Sequence, residues 1–191
     1  ANLRDYDKAI DYMQQSLSID LEIQDRRGEG RVLGNLGIAY EGQGRYTEAI
    51  DYCKQSITIS REIGDYQQEG NALGTLGSTL IELEQYSEAL KCWHTAIEIF
   101  RKIQDPLGER NTLANLGNAY YFMRDYVKAT EYYEQSLMIT RKIKDSQGEE
   151  QVLLNLSNSY CSLGDYVKAI AYNQQHLALV QATLQQMRRS L

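Results

Sequence analysis

The chain has 191 residues, 42% of them apolar, and a formal charge of −6 from 26 acidic and 20 basic side chains. That balance argues against the clustered basic face on which nucleic-acid binding rests, and no apolar run of about 18 residues is present to span a bilayer. Cys53, Cys92 and Cys161 are too few and too scattered for a disulfide framework, and they point to a reducing, cytoplasmic setting.

The elements follow one another at a fixed period. Tyr6, Tyr46, Tyr86, Tyr126 and Tyr166 fall 40 residues apart, and Ala9, Ala49, Ala89, Ala129 and Ala169 keep that register. So do Leu36, Leu76, Leu116 and Leu156. A period of this length marks an α-solenoid, in which one helical unit stacks on the next. In chain order, residues 1–24 carry only the second half of a unit, the orphan B helix of a truncated repeat. Residues 25–64 form the first complete unit, with helix A at about 26–42 and helix B from Tyr46 to Ile63. Residues 65–104 and 105–144 repeat it, and 145–191 form a fourth unit with an extended C-terminal helix. The expectation is one continuous all-α domain of about nine helices.

Local signals agree with these boundaries. Asp25, Asp65, Asp105 and Asp145 precede the A helices as N-caps, and Asp5, Asp125 and Asp165 precede the B helices. Pro106, the one proline, stands at the first helical position. Gly44 and Gly164 mark C-terminal breaks. Gly37, Gly77 and Gly117 lie in mid-helix, where glycine costs about 1 kcal/mol against alanine. Their recurrence implies close helix approach, with Ala49, Ala89 and Ala129 as the small partners.

The series Leu36–Gly37–Tyr40–Ala49 and Leu116–Gly117–Tyr120–Ala129 resembles the tetratricopeptide family in its extended 40-residue form, as in Pins/LGN-like and kinesin-light-chain-like proteins and bacterial regulators. The family's proline near the end of helix B is replaced by Arg61, Arg101 and Arg141. The resemblance implies a right-handed superhelix of antiparallel helix pairs, with A helices lining a concave groove and B helices outside. Helical spacing then selects the groove residues. They are Arg31, Asn35 and Ile38, with Glu41, in the first unit, and Asn71, Thr75 and Ile81, with Ser78, in the second. The third supplies Asn111, Asn115, Asn118, Tyr121 and Phe122, and the fourth Gln151, Leu154, Asn155 and Asn158. An amide ladder of this kind both donates and accepts, which suits the backbone of an extended peptide. The neighbouring apolar residues supply anchors.

The family's subtype that grips an acidic C-terminal tail needs lysines and arginines where Asn111, Asn115, Gln151 and Asn155 stand, so such a ligand is disfavoured. His94 and His176 lie in separate B helices, and no nucleophile, metal or phosphate-binding motif occurs. The expected function is therefore a non-enzymatic scaffold that holds a protein or peptide partner, without cofactor, nucleic acid or membrane insertion. The alternatives are a regulatory or sensor domain of a larger signalling protein, and self-association through terminal helices whose apolar face, at Ile10, Met13 and Leu17, is open.

Overall fold

The computed structural model describes residues 3–189, with side chains given for residues 6–185 and Arg188. Among the described residues there are nine helices and no strand. They are α1 (Leu3–Glu22), α2 (Arg26–Gly42), α3 (Tyr46–Ile63), α4 (Tyr66–Glu82), α5 (Tyr86–Lys102), α6 (Pro106–Phe122), α7 (Tyr126–Ile143), α8 (Ser146–Ser162) and α9 (Tyr166–Arg189). The expected A and B helices of the first unit are α2 and α3. The chain divides into two compact units, residues 1–108 and 109–191.

The helices begin where the sequence places caps. Asp25 accepts from the backbone N–H of Arg27 and Gly28 at 3.1 and 3.0 Å, Asp65 from Gln68 at 3.1 Å, and Asp145 from Gly148 at 2.9 Å. Asp105 does the same for Leu107 and Gly108, both at 3.0 Å. Asp125 and Asp165 cap α7 and α9 through Lys128 and Lys168. Each satisfies a donor that the first helical turn leaves unpaired, worth about 1 kcal/mol. Asp5 is a correction: α1 starts at Leu3, so Asp5 lies inside the helix rather than before it, and its side chain is outside the described residues. The helices end just as regularly. Gln24, Gly44, Gly64, Glu84, Gln104, Arg124, Lys144 and Gly164, 20 residues apart, all take positive φ between 58° and 79°.

In the first unit, α1 packs on α2, α2 on α3, α3 on α4 and α4 on α5. Ile10, Val32, Leu36, Ala39, Tyr40 and Ala49 form one buried cluster, with Met13 and Leu17 packed against it. This reverses the expectation of an open face at Ile10, Met13 and Leu17, because those residues are the surface that α1 seats on α2. What α1 leaves exposed is Tyr12, Ile19 and Leu21, with Ile23 exposed just past its end. In the second unit, Ala129, Tyr133 and Leu137 of α7 meet Val152, Leu153, Leu156 and Tyr160 of α8 and Ala169 of α9.

The mid-helix glycines make room chiefly for the side chain one turn after each alanine, and at Gly37 the Ala49 carbonyl also comes within 3.4 Å. A Cβ on Gly37 would lie 2.5 Å from Cys53 Sγ, one on Gly77 2.5 Å from the Trp93 indole nitrogen, and one on Gly117 2.5 Å from the Tyr133 ring. Trp93 is core, 3% exposed, and donates its indole N–H to the Gly74 carbonyl at 3.0 Å. The alanines are fully buried one turn earlier.

Tyrosine pairs recur across the A/B hairpins. Tyr40 stacks on Tyr52 at 5.1 Å, Tyr120 on Tyr132 at 5.3 Å, and Tyr160 on Tyr172 at 5.5 Å. Arg45, Lys128 and Lys168 lie over the first ring of each pair at 4.5, 5.0 and 4.7 Å. Offset aromatic stacking and cation–π contact each add about 0.5–1 kcal/mol beyond the area buried. In the second hairpin Leu80 and Cys92 occupy these positions. Where the family has proline, Arg61 and Arg141 reach across the turn to Glu69 at 2.6 Å and Glu149 at 2.7 Å.

Candidate functional site

The expected groove residues all lie on α2, α4, α6 and α8, and none is in the core. In the first unit, Arg31, Asn35, Ile38 and Asn71 are exposed, while Thr75 and Ile81 are half-buried. Thr75 hydrogen-bonds back to the Asn71 carbonyl at 3.3 Å. Glu41, on the same face of α2, is half-buried near Glu82. Burial pushes its carboxyl from the ordinary 4.5 up to about 7, the Glu82 carboxylate adds to the shift, and a hydrogen bond from Thr79 opposes it. Glu82 itself accepts from the Tyr46 hydroxyl at 3.4 Å.

In the second unit the same face closes around a cavity of about 150 Å³ lined by Asn118, Tyr121, Phe122, Tyr133, Asn155 and Asn158. Five of these six are residues that helical spacing selects. Asn111, Asn115 and Leu154 share the two helices but lie outside this lining. Gln151 joins indirectly, donating to Asn155 Oδ1 at 3.0 Å. Asn155 Nδ2 in turn reaches Asn118 Oδ1 at 3.4 Å, and the Tyr133 hydroxyl donates to that same oxygen at 2.6 Å. With its oxygen held twice, Asn118 keeps its Nδ2 as a fixed donor. Burial, with a smaller effect of Tyr121, raises the Tyr133 hydroxyl above its ordinary range, so Tyr133 remains a neutral donor. Phe122, 74% exposed, stands at the rim edge-on to Tyr121 with ring centroids 6.2 Å apart.

Tyr133 is the site residue that helical spacing does not select, because it projects from a B helix. Gly117 is its trace in the sequence, since the missing side chain is what admits the Tyr133 ring. No charged residue lines the cavity. Arg110, on α6, is paired with Asp145, and its side chain is 16% exposed.

A larger cavity, about 620 Å³, lies along α7 and α9 and is lined by Glu131, Glu134, Gln135, Leu137, Met138, Arg141 and Tyr172. Three of its polar side chains, Glu134, Arg141 and Tyr172, are already engaged. Glu134 accepts from the Tyr160 and Tyr172 hydroxyls at 2.6 and 3.2 Å, and Arg141 binds Glu149 and Gln175, both at 2.7 Å. Among the described residues, no group of three or more metal-binding side chains occurs, and no helix is long and apolar enough to cross a membrane.

A family model described as Tetratricopeptide repeat matches residues 1–62, 68–142 and 109–182. Among curated proteins, no sequence matches the chain. Among solved structures, BtubC (BKLC) from P. vanneervenii aligns with a TM-score of 0.85 at 22% identity, over 94% of this chain and 74% of that one. Aspartyl phosphate phosphatase F from Bacillus subtilis aligns with a TM-score of 0.86 at 18% identity, over 95% of this chain and 48% of the other. A Rap protein complexed with competence and sporulation factor gives 0.79 at 18% identity, over 93% and 50%. The chain thus spans about half the length of the last two. At such identities the likeness is one of fold, an all-α solenoid of antiparallel helix pairs. The family matches run over most of the sequence, and the chain belongs to the tetratricopeptide repeat family.

Proposed function

We propose that the chain is a protein-interaction module that holds a peptide segment of a partner protein against the exposed face of its A helices, without catalysis. The observation that carries this reading is the uncharged cavity of the second unit, where Tyr133 and Asn155 fix the Asn118 amide. A fixed donor beside a space of about 150 Å³ matches a backbone carbonyl followed by one medium-sized apolar side chain. Arg31, Asn35, Ile38, Asn71, Thr75 and Ile81 extend the same chemistry on the first unit. With Arg110 committed to Asp145, a neutral or mildly basic segment suits this surface better than an acidic tail. The three free thiols are consistent with a cytoplasmic setting.

A regulatory or sensor domain of a larger protein is the second reading. It is favoured by the chain's match to only about half of the phosphatase and Rap structures. A ligand would then act by binding two states of the array unequally.

Partner capture tests the first reading. The immobilised domain and its Asn118→Ala and Tyr133→Phe variants, each shown folded by circular dichroism, are compared by quantitative mass spectrometry of bound proteins. The expected result is a partner held by the parent and reduced about tenfold or more by Asn118→Ala, the loss of a buried polar contact. Equal capture by all three would remove this cavity from the binding surface.

A further inference from the structure

The small cavity of the second unit is selective because some of its polar atoms are already used. Asn118 Oδ1 takes two hydrogen bonds, from the Tyr133 hydroxyl at 2.6 Å and from Asn155 Nδ2 at 3.4 Å. An amide oxygen has two lone pairs, so this one is full. Asn155 Oδ1 is engaged by Gln151 at 3.0 Å. What these two half-buried amides chiefly have left for a ligand is N–H. The rest of the lining is Asn158, which is exposed to water, and three aromatic rings, Tyr121, Phe122 and Tyr133. Phe122 and Tyr126 hold the Tyr121 ring edge-on, with centroids 6.2 and 5.3 Å away. The repeat does not ask for this arrangement. One and two periods earlier, Glu82 and Gly42 stand in the place of Phe122, Ile81 and Glu41 in that of Tyr121, and Ser78 and Ile38 in that of Asn118.

Donors beside aromatic faces call for a group that has an acceptor, lacks a donor and is apolar next to it. An ordinary peptide unit brings an N–H along with its carbonyl, and an N–H carried in without an acceptor weakens binding. A carboxylate has only acceptors, but a desolvated one needs a cation. No charged residue lines the cavity, and Arg110 is held by Asp145. The peptide unit that precedes a proline is a tertiary amide, with a carbonyl and no N–H. The pyrrolidine ring that follows is compact and apolar, of the kind that aromatic-lined grooves accept. Its fixed φ also reduces the entropy lost on binding.

We infer that this cavity selects a proline of the partner segment: the carbonyl before the proline accepts from Asn118 Nδ2, and the ring lies against Tyr121, Phe122 and Tyr133. The inference rests on the reading of the cavity as a peptide site and adds the class of segment it takes. Tyr133 is then a specificity-determining residue. Its hydroxyl fills the Asn118 oxygen that would otherwise accept from a peptide N–H.

Selection from a random peptide library on the immobilised 191-residue chain, followed by fluorescence-polarisation titration of the selected peptides, tests this. The expected result is a set of selected sequences that share a proline. Replacing that proline with alanine should weaken binding about tenfold or more. N-methylalanine, which restores the tertiary amide without the ring, should recover most of the loss. These peptide arms need no variant of the protein. Tyr133→Phe, shown folded by circular dichroism, should narrow the proline-to-alanine ratio, whereas a purely structural loss would weaken both peptides alike. Selected sequences without a shared proline, or equal affinity of the proline and alanine peptides, would overturn the inference and leave the peptide-binding reading standing. So would N-methylalanine no better than alanine, a ratio unchanged by Tyr133→Phe, or a proline peptide that binds folded Asn118→Ala as tightly as the parent. A library that yields no bound peptide would overturn both.

Discussion

Five of the eight reversals of this chain use a side-chain-bearing residue at positive φ: Gln24, Glu84, Gln104, Arg124 and Lys144. For an L-residue that conformation costs about 1 kcal/mol, whereas glycine takes it freely. Lys144→Gly should therefore stabilise the chain by about 0.5–1 kcal/mol, and Gly44→Ala should destabilise it by about 1 kcal/mol. Urea midpoints at constant slope check both, and no change in either would remove the strain. Glu41 gives a second prediction at this scale. Its folded-state pKa of about 7 lies above the ordinary 4.5, because burial and Glu82 disfavour the charge. The raised value means that its contribution to stability is fully present below about pH 4.5 and is lost as pH climbs through 7. Glu41→Gln should be more stable than the parent at alkaline pH by about 1 kcal/mol, a figure reduced for its partial exposure. It should also flatten the decline of the thermal midpoint across that window. A variant whose midpoint falls with pH as the parent's does would show that Glu41 is not the titrating group.

At the scale of the helix, packing turns on where glycine is needed. Gly117 and Gly74 both lie inside A helices, but a Cβ on Gly117 meets the Tyr133 ring while one on Gly74 meets nothing within 4 Å. Gly117→Ala must move a ring that is 2% exposed, and overpacking of this kind costs about 1–3 kcal/mol. Gly74→Ala should instead gain up to about 1 kcal/mol of helix propensity. Thermal unfolding of the two variants side by side checks the contrast, and equal shifts would mean that the ring has room. Helix limits were legible in the sequence because caps and turns are local. The Asp25, Asp65, Asp105 and Asp145 caps need only the next two or three N–H groups. The partner of Gly117 was not legible, since it lies 16 residues on, on a facing helix.

For the whole molecule, charge and cover decide more than any single site. The chain's −6 is unevenly spread, with an excess of acid on α1 and none on α9. This polarity is visible in the sequence, whereas which large apolar side chains stay exposed, such as Tyr12 and Ile19 on α1 and Ile170 and Leu177 on α9, is decided by what packs against them. The candidate site behaves in the same way. Asn118, Tyr121, Phe122, Asn155 and Asn158 follow from helical spacing, yet spacing treats Asn111, Asn115 and Leu154 as their equals. The hydrogen bonds of Tyr133 and Asn155 to Asn118 are what separate the cavity from the rest of the ladder.

The sequence by itself determined the repeat, the family, and the helix limits and capping residues other than those at the start of α1. Each of these is written in contacts a few residues long or in a period that recurs without change. Tertiary structure decided which of the apolar faces on α1 is open, which side chain fills each glycine notch, and which amides converge on one cavity. Those outcomes depend on side chains that meet across helices, where two residues with the same helical phase differ only in what packs against them.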